Sequence, residues 1–120
     1  MAKAKQIYGT RFIHVNIPCA PGWGFPTEDL IKLAKLAVDT AIWVLYEVED
    51  GAYSLSGRSR SMADSGKKKP VRQYLNLQER FRNVTAEQEE RLQVWIDRRW
   101  ERFVQRHLLS DDAKRKARSA

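Results

Sequence analysis

Two side chains near the start of this chain have chemistry to offer, His14 and Cys19, and Cys19 is the only cysteine. The residues before it, Phe12 to Ile17, are rich in β-branched types and predict a strand, which Pro18 stops. Cys19 then falls on a turn built from Pro21, Gly22 and Gly24. A strand that ends by lifting one soft ligand into a Pro/Gly turn has the geometry of a site at the carboxyl edge of an α/β sheet. A free cysteine is commonly a small buried hydrophobe. Against that, Pro18 and Pro21 fix the backbone on either side and suit a thiolate held at one angle as a ligand or nucleophile. His14 is a candidate ligand or acid/base group, with a hydrogen-bonded strand histidine as the alternative. A thiol enzyme pairing His14 with Cys19 needs them adjacent, and five residues across a proline turn argue against it. There is no CxxC, no HxxxH, no Gly-rich phosphate loop and no Ser/His/Asp constellation, so a metal or catalytic site needs residues from elsewhere. Cys19 is one piece of a site.

The elements that must position this turn fit in one small domain of 120 residues. No apolar run approaches the roughly 18 residues that span a bilayer, and the first residues lack the apolar stretch of a secretory signal. A single cysteine makes no internal disulfide and points to a reducing, cytoplasmic setting. The net charge of +7 is unevenly placed: residues 1–56 hold 5 basic against 6 acidic side chains, residues 57–120 hold 17 against 9. That asymmetry suggests an acidic partner, nucleic acid or a basic tail for the second half.

In chain order, residues 2–8 read as the end of a helix stopped by Gly9. The strand Phe12–Ile17 is apolar on both faces, as expected of a strand inside a helix-covered sheet. From Phe25 to Ala41, acids in the first turn and apolar residues at Leu30, Leu33, Ala34, Ala37 and Ala41, broadened by Ile31 and Val38, predict a helix. Ile42–Val48 reads as a second strand, Glu49-Asp-Gly51 as a tight turn, and Ala52–Ser56 as the returning arm of a hairpin. Strand, helix and strand make a βαβ-like unit with the hairpin at its edge. Residues 57–69, rich in Ser, Gly and basic side chains, read as a flexible basic loop, with an anion- or partner-binding role as the functional alternative. Pro70 opens a helix running to Phe81. Thr85 and Gln88 form a capping box for another that runs to about Leu108, with Leu92, Trp95, Ile96, Trp100, Phe103 and Val104 as its stripe. Residues 110–120 read as a disordered basic tail.

Three stretches together resemble a known family. Phe12-Ile-His-Val with Pro18-Cys-Ala-Pro-Gly-Trp23, then Leu36-Ala-Val-Asp-Thr-Ala-Ile-Trp-Val-Leu-Tyr-Glu-Val48, and then Lys69-Pro-Val-Arg-Gln-Tyr-Leu-Asn-Leu-Gln-Glu-Arg-Phe81 are similar to the C-terminal portion of the β subunit of 2-oxoacid:ferredoxin oxidoreductases of the pyruvate type. The resemblance covers roughly residues 3–105, with a longer Ser-rich loop at 57–66. It implies a thiamine-diphosphate enzyme that oxidatively decarboxylates a 2-oxoacid with coenzyme A and passes electrons through 4Fe–4S clusters to ferredoxin. It also implies that Cys19 is the fourth thiolate ligand of such a cluster, with Gly22, Trp23 and Gly24 as its surroundings. The family's GDG…N motif for the diphosphate and Mg²⁺, and its other three cysteines, lie outside these residues. The expectation is therefore a fragment, or a subunit split between chains, inactive alone.

The expected architecture is α/β: residues 1–56 as the C-terminal βαβ part of a thiamine-diphosphate-binding fold, residues 57–69 a loop, residues 70–109 a two-helix extension, and then the tail. Expected partners are the other subunits (α, γ, δ) or the rest of the same subunit, and ferredoxin; no membrane is expected. No residue here is expected to be catalytic. The alternative is a small basic protein, without catalytic activity, that binds nucleic acid or another partner. Its basic stretches lack the interleaved aromatics and reader motifs of nucleic-acid binders.

Overall fold

The computed structural model describes residues 2–119. Its elements run α1 (Ala2–Gln6), α2 (Ala20–Trp23), α3 (Leu30–Asp39), β1 (Tyr46–Glu49), β2 (Ala52–Leu55), α4 (Gly57–Ser65), α5 (Arg72–Leu75) and α6 (Ala86–Ser119), with 3-10 turns at Thr27–Asp29 and Glu79–Phe81. Leu33, Ile96 and Val71 are fully buried and come from α3, α6 and the entry to α5, so the core lies where these three segments meet. On α3, Leu33, Leu36, Ala37 and Val38 are buried, whereas Ile31 faces solvent. The helix face is therefore turned slightly from the one expected.

The hairpin is as the sequence dictates. Asp50 and Gly51 take φ of 50° and 78°, the paired positive values of a type I′ turn, and Tyr46 pairs with Leu55 and Glu49 with Ala52 in antiparallel register. β2 lies on α6, where the Tyr53 amide donates to Ser110 Oγ at 3.0 Å and Tyr46 packs on Phe103 at 4.8 Å. The capping box also forms: the Thr85 amide donates to Gln88 Oε1 and the Gln88 amide to Thr85 Oγ1.

Several expectations are corrected. Residues 12–17 form no strand, and no βαβ unit is present among the described residues. The two strands among the described residues pair with each other and offer residues 12–17 no ladder, and Phe12 and Ile17 are 88% and 72% exposed. Residues 42–45 do not join β1 because their backbone ends α3 instead. Ala41 adopts φ 59°, the Trp43 amide donates to the Ala37 carbonyl, and Arg99 Nη2 donates to the carbonyls of Ala41 and Ile42, both at 2.6 Å.

The Ser- and Gly-rich stretch expected as a flexible loop is largely helix α4, closed by Gly66 at φ 67°. Met62 and Ser59 are its buried side chains, and Ser59 Oγ accepts the Leu45 amide at 2.9 Å. The helix expected from Pro70 to Phe81 breaks after α5 because Gln78 is extended (φ −130°, ψ 120°) and its side chain turns back into the core. α6 does not end near Leu108. It continues through the stretch expected to be disordered, held by Ser110 and by Asp111, which approaches Arg60 at 3.7 Å. Trp95, placed on its apolar stripe, is half exposed and stacks on Arg99 instead.

Candidate functional site: the Cys19 turn

The thiol stands on a short, well-braced turn. Cys19 precedes α2 with extended backbone (φ −109°, ψ 100°), and its carbonyl accepts the Trp23 amide at 2.9 Å, which closes one helical turn. Pro18 and Ala20 on either side are buried, so the backbone is seated in the protein while the Cys19 side chain is exposed. The turn is a single helical turn rather than a loop, but it presents the thiol outward as the proline spacing suggested.

The two glycines leave room for different neighbours. A Cβ on Gly22 would lie 3.1 Å from Cys19 Sγ and crowd the thiol. Gly24 is in the left-handed region at φ 68° and donates its amide to the Ala20 carbonyl, and a Cβ there would lie 2.6 Å from Glu79 Cβ. The backbones meet at this point: the Glu79 amide donates to the Gly24 carbonyl at 2.8 Å. Trp23 is half-buried, with Phe25 6.4 Å away and the Arg80 guanidinium 3.9 Å over its ring. Gln78, Glu79 and Arg80 thus form the wall of the site, and the sequence placed them only within the helix expected from Pro70 to Phe81. Their signal was a glutamine among apolar positions next to a Glu-Arg pair, legible only once residues 19–24 are known to lie against them.

His14 is not brought into the site. Its ring meets Trp43 edge-on at 4.6 Å, and among the described residues it makes no hydrogen bond to Cys19. Nor does any group of three or more His, Cys, Asp or Glu stand together among those residues. Cys19 is therefore a single donor. An exposed thiol with cleared space around it fits the role of one ligand to an iron–sulfur cluster whose other ligands lie on another segment. A groove of about 500 Å³ adjoins the turn, between Gly24, Phe25 and the residues around Leu77 and Val84, and Cys19 is not part of its lining.

Several basic side chains of the second half are held in internal pairs. Arg58 binds both carboxylate oxygens of Asp39, at 2.7 and 2.8 Å, and Lys69 reaches the same group at 3.2 Å. Lys68 pairs with Asp97 and Arg72 with Glu89. No helix among the described residues is long and apolar enough to cross a membrane.

The site is thus one exposed thiol on a braced glycine turn of an α/β chain. No family model matches the chain. It is 43% identical over 95 residues to pyruvate synthase subunit PorB of Methanothermobacter thermautotrophicus, covering 79% of this chain and 31% of that one. With the PorB of Methanocaldococcus jannaschii the identity is 44% over 95 residues, covering 79% and 30%. With the ketoisovalerate oxidoreductase subunit VorB of Pyrococcus horikoshii it is 41% over 104 residues, covering 86% and 32%. The chain spans about a third of the length of these curated relatives. It belongs to the family of 2-oxoacid oxidoreductase β subunits and corresponds to their C-terminal part.

Proposed function

We propose that this chain supplies the C-terminal part of the β subunit of a cytoplasmic 2-oxoacid:ferredoxin oxidoreductase, with pyruvate as the substrate. The whole enzyme would convert the 2-oxoacid and coenzyme A to an acyl-CoA and CO₂, two electrons passing to ferredoxin. Cys19 would hold one iron of a 4Fe–4S cluster, and three thiolates from the remainder of the subunit, on another segment or chain, would hold the rest. Thiamine diphosphate and Mg²⁺ would be bound by that remainder. When bound, such a cluster carries single electrons.

Within this chain, Cys19 presents the ligand, Pro18 and Ala20 seat its backbone, Gly22 keeps a side chain away from the sulfur, and Trp23 lies one helical turn on as apolar cover. The observation that carries the reading is the exposed Cys19 thiol on its braced turn, in a chain that shares 43% identity with pyruvate synthase subunit PorB. The unpaired apolar residues 12–17 support it, since they are ready to join a sheet supplied from outside.

The test is anaerobic purification of the tagged chain from its native cells, with iron and acid-labile sulfide measured in the recovered complex. The wild-type complex should hold cluster iron and reduce a viologen dye with pyruvate and coenzyme A. Cys19→Ser should lose the iron of one cluster without unfolding the chain, because the side chain is exposed. A chain recovered iron-free, or a serine variant with full cluster content, would reject the assignment.

A further inference from the structure

Arg80 touches the Cys19 turn through a built arrangement rather than by chance contact. Its guanidinium lies 3.9 Å over the Trp23 ring and 4.6 Å over that of Phe81. Arg80 Nε donates to Gln78 Oε1 at 2.9 Å, and Nη2 reaches the Tyr74 hydroxyl at 3.4 Å. Gln78 is 3% exposed, and its Nε2 donates to the Tyr74 carbonyl at 2.7 Å, which fixes which way its amide points. One buried amide thus orients one cation, and that cation covers the tryptophan whose amide closes the Cys19 turn. Glutamine is needed because it donates and accepts at once, and arginine because its plane stacks while its Nε–H still donates.

We infer that Arg80, oriented by Gln78, is a positioning residue that clamps the Cys19 turn and holds the thiolate where a cluster iron must meet it. The clamp is a property of this chain, whereas its consequence for iron rests on Cys19 being a ligand. Aromatic stacking of a cation, partly shielded from water, is strong enough to change how often a single helical turn opens.

The first measurement is amide hydrogen exchange in the full chain. Arg80→Ala should speed exchange of the Trp23, Gly24 and Phe25 amides about fivefold or more, leaving amides in the middle of α3 and α6 unchanged. Gln78→Leu should do the same with Arg80 still present, and Arg80→Lys should fall between, since it keeps the charge but loses the planar fork. If Arg80→Ala fails to fold, the lysine and Gln78→Leu variants carry the test. Unchanged turn amides in the folded variants would overturn the clamp. So would acceleration spread evenly through α3 and α6, which reports global stability only.

The second measurement is the electron paramagnetic resonance spectrum of the reduced complex. Arg80→Ala should shift or broaden the signal of the cluster that Cys19→Ser removes, and Arg80→Lys should restore it in part. An unchanged spectrum beside selective exchange would overturn the positioning role. If Cys19→Ser instead leaves cluster iron intact, the ligand assignment fails, and the exchange data still decide the clamp.

Discussion

Gly24 and Gly22 share a turn but fail differently when substituted. At Gly24 the backbone is left-handed and a Cβ would meet Glu79 at 2.6 Å, so Gly24→Ala should cost about 2 kcal/mol in urea unfolding. At Gly22 the conflict is with the thiol itself, and Cys19 is exposed. Gly22→Ala should leave the unfolding midpoint nearly unchanged while slowing alkylation of Cys19 by iodoacetamide a few-fold, read by mass spectrometry. The thiol was legible in the sequence because a lone cysteine between prolines is conspicuous without knowing the fold. Gln78 and Arg80 were not legible as site residues, because their role depends on a contact with Trp23 more than fifty positions away.

Among the elements, those encoded by local chemistry were readable. Asp50-Gly51 demands positive φ at two successive residues, and Thr85 with Gln88 satisfies each other's amides whatever surrounds them. Elements decided by distant partners were not. Residues 12–17 have strand composition and no ladder, and α4 is a helix because Ser59 and Met62 are buried and Arg58 grips Asp39, none of which its polar sequence announces.

Helix α1 shows a weaker, pH-dependent attachment. Lys3 Nζ lies 2.7 Å from Glu47 and 2.9 Å from Glu49, and the hydrogen bond from Lys3 holds the Glu49 carboxyl below its ordinary range, while Glu47 and Glu49 hold the Lys3 ammonium above its own. A lowered acid stabilises the contact above the free carboxylate range and loses it as pH falls through the folded value. A raised base keeps its contribution up to the ordinary lysine range and loses it as pH rises further. The attachment should therefore hold between about pH 5 and 10 and weaken as pH falls below the ordinary glutamate range, followed by the Glu49 side-chain and α1 amide shifts in NMR spectra. Because these side chains are about half exposed and their pairs are screened by water, Lys3→Ala should free α1 without a measurable change in Tm.

At the scale of the whole molecule, the radius of gyration is 16.8 Å, against about 13.6 Å for a compact domain of this length. The 34-residue helix α6 accounts for much of the difference: at 1.5 Å per residue it spans about 51 Å, close to the molecule's 55 Å long axis. Arg58 and Lys69 are tied to Asp39, Lys68 to Asp97 and Arg72 to Glu89, which fixes these side chains in place but leaves the net charge of +7 unchanged. The exposed segment of residues 12–17 has a consequence for production as well as for assembly. Backbone groups without a ladder, flanked by Phe12, Ile13, Val15 and Ile17, are a template for self-association. The purified chain should scatter light increasingly with concentration, and Ile13→Lys with Val15→Lys should suppress the scattering. The same exposed backbone that could take up a further strand is thus a liability while it stands uncovered, and any segment that paired with residues 12–17 would raise the solubility of the chain.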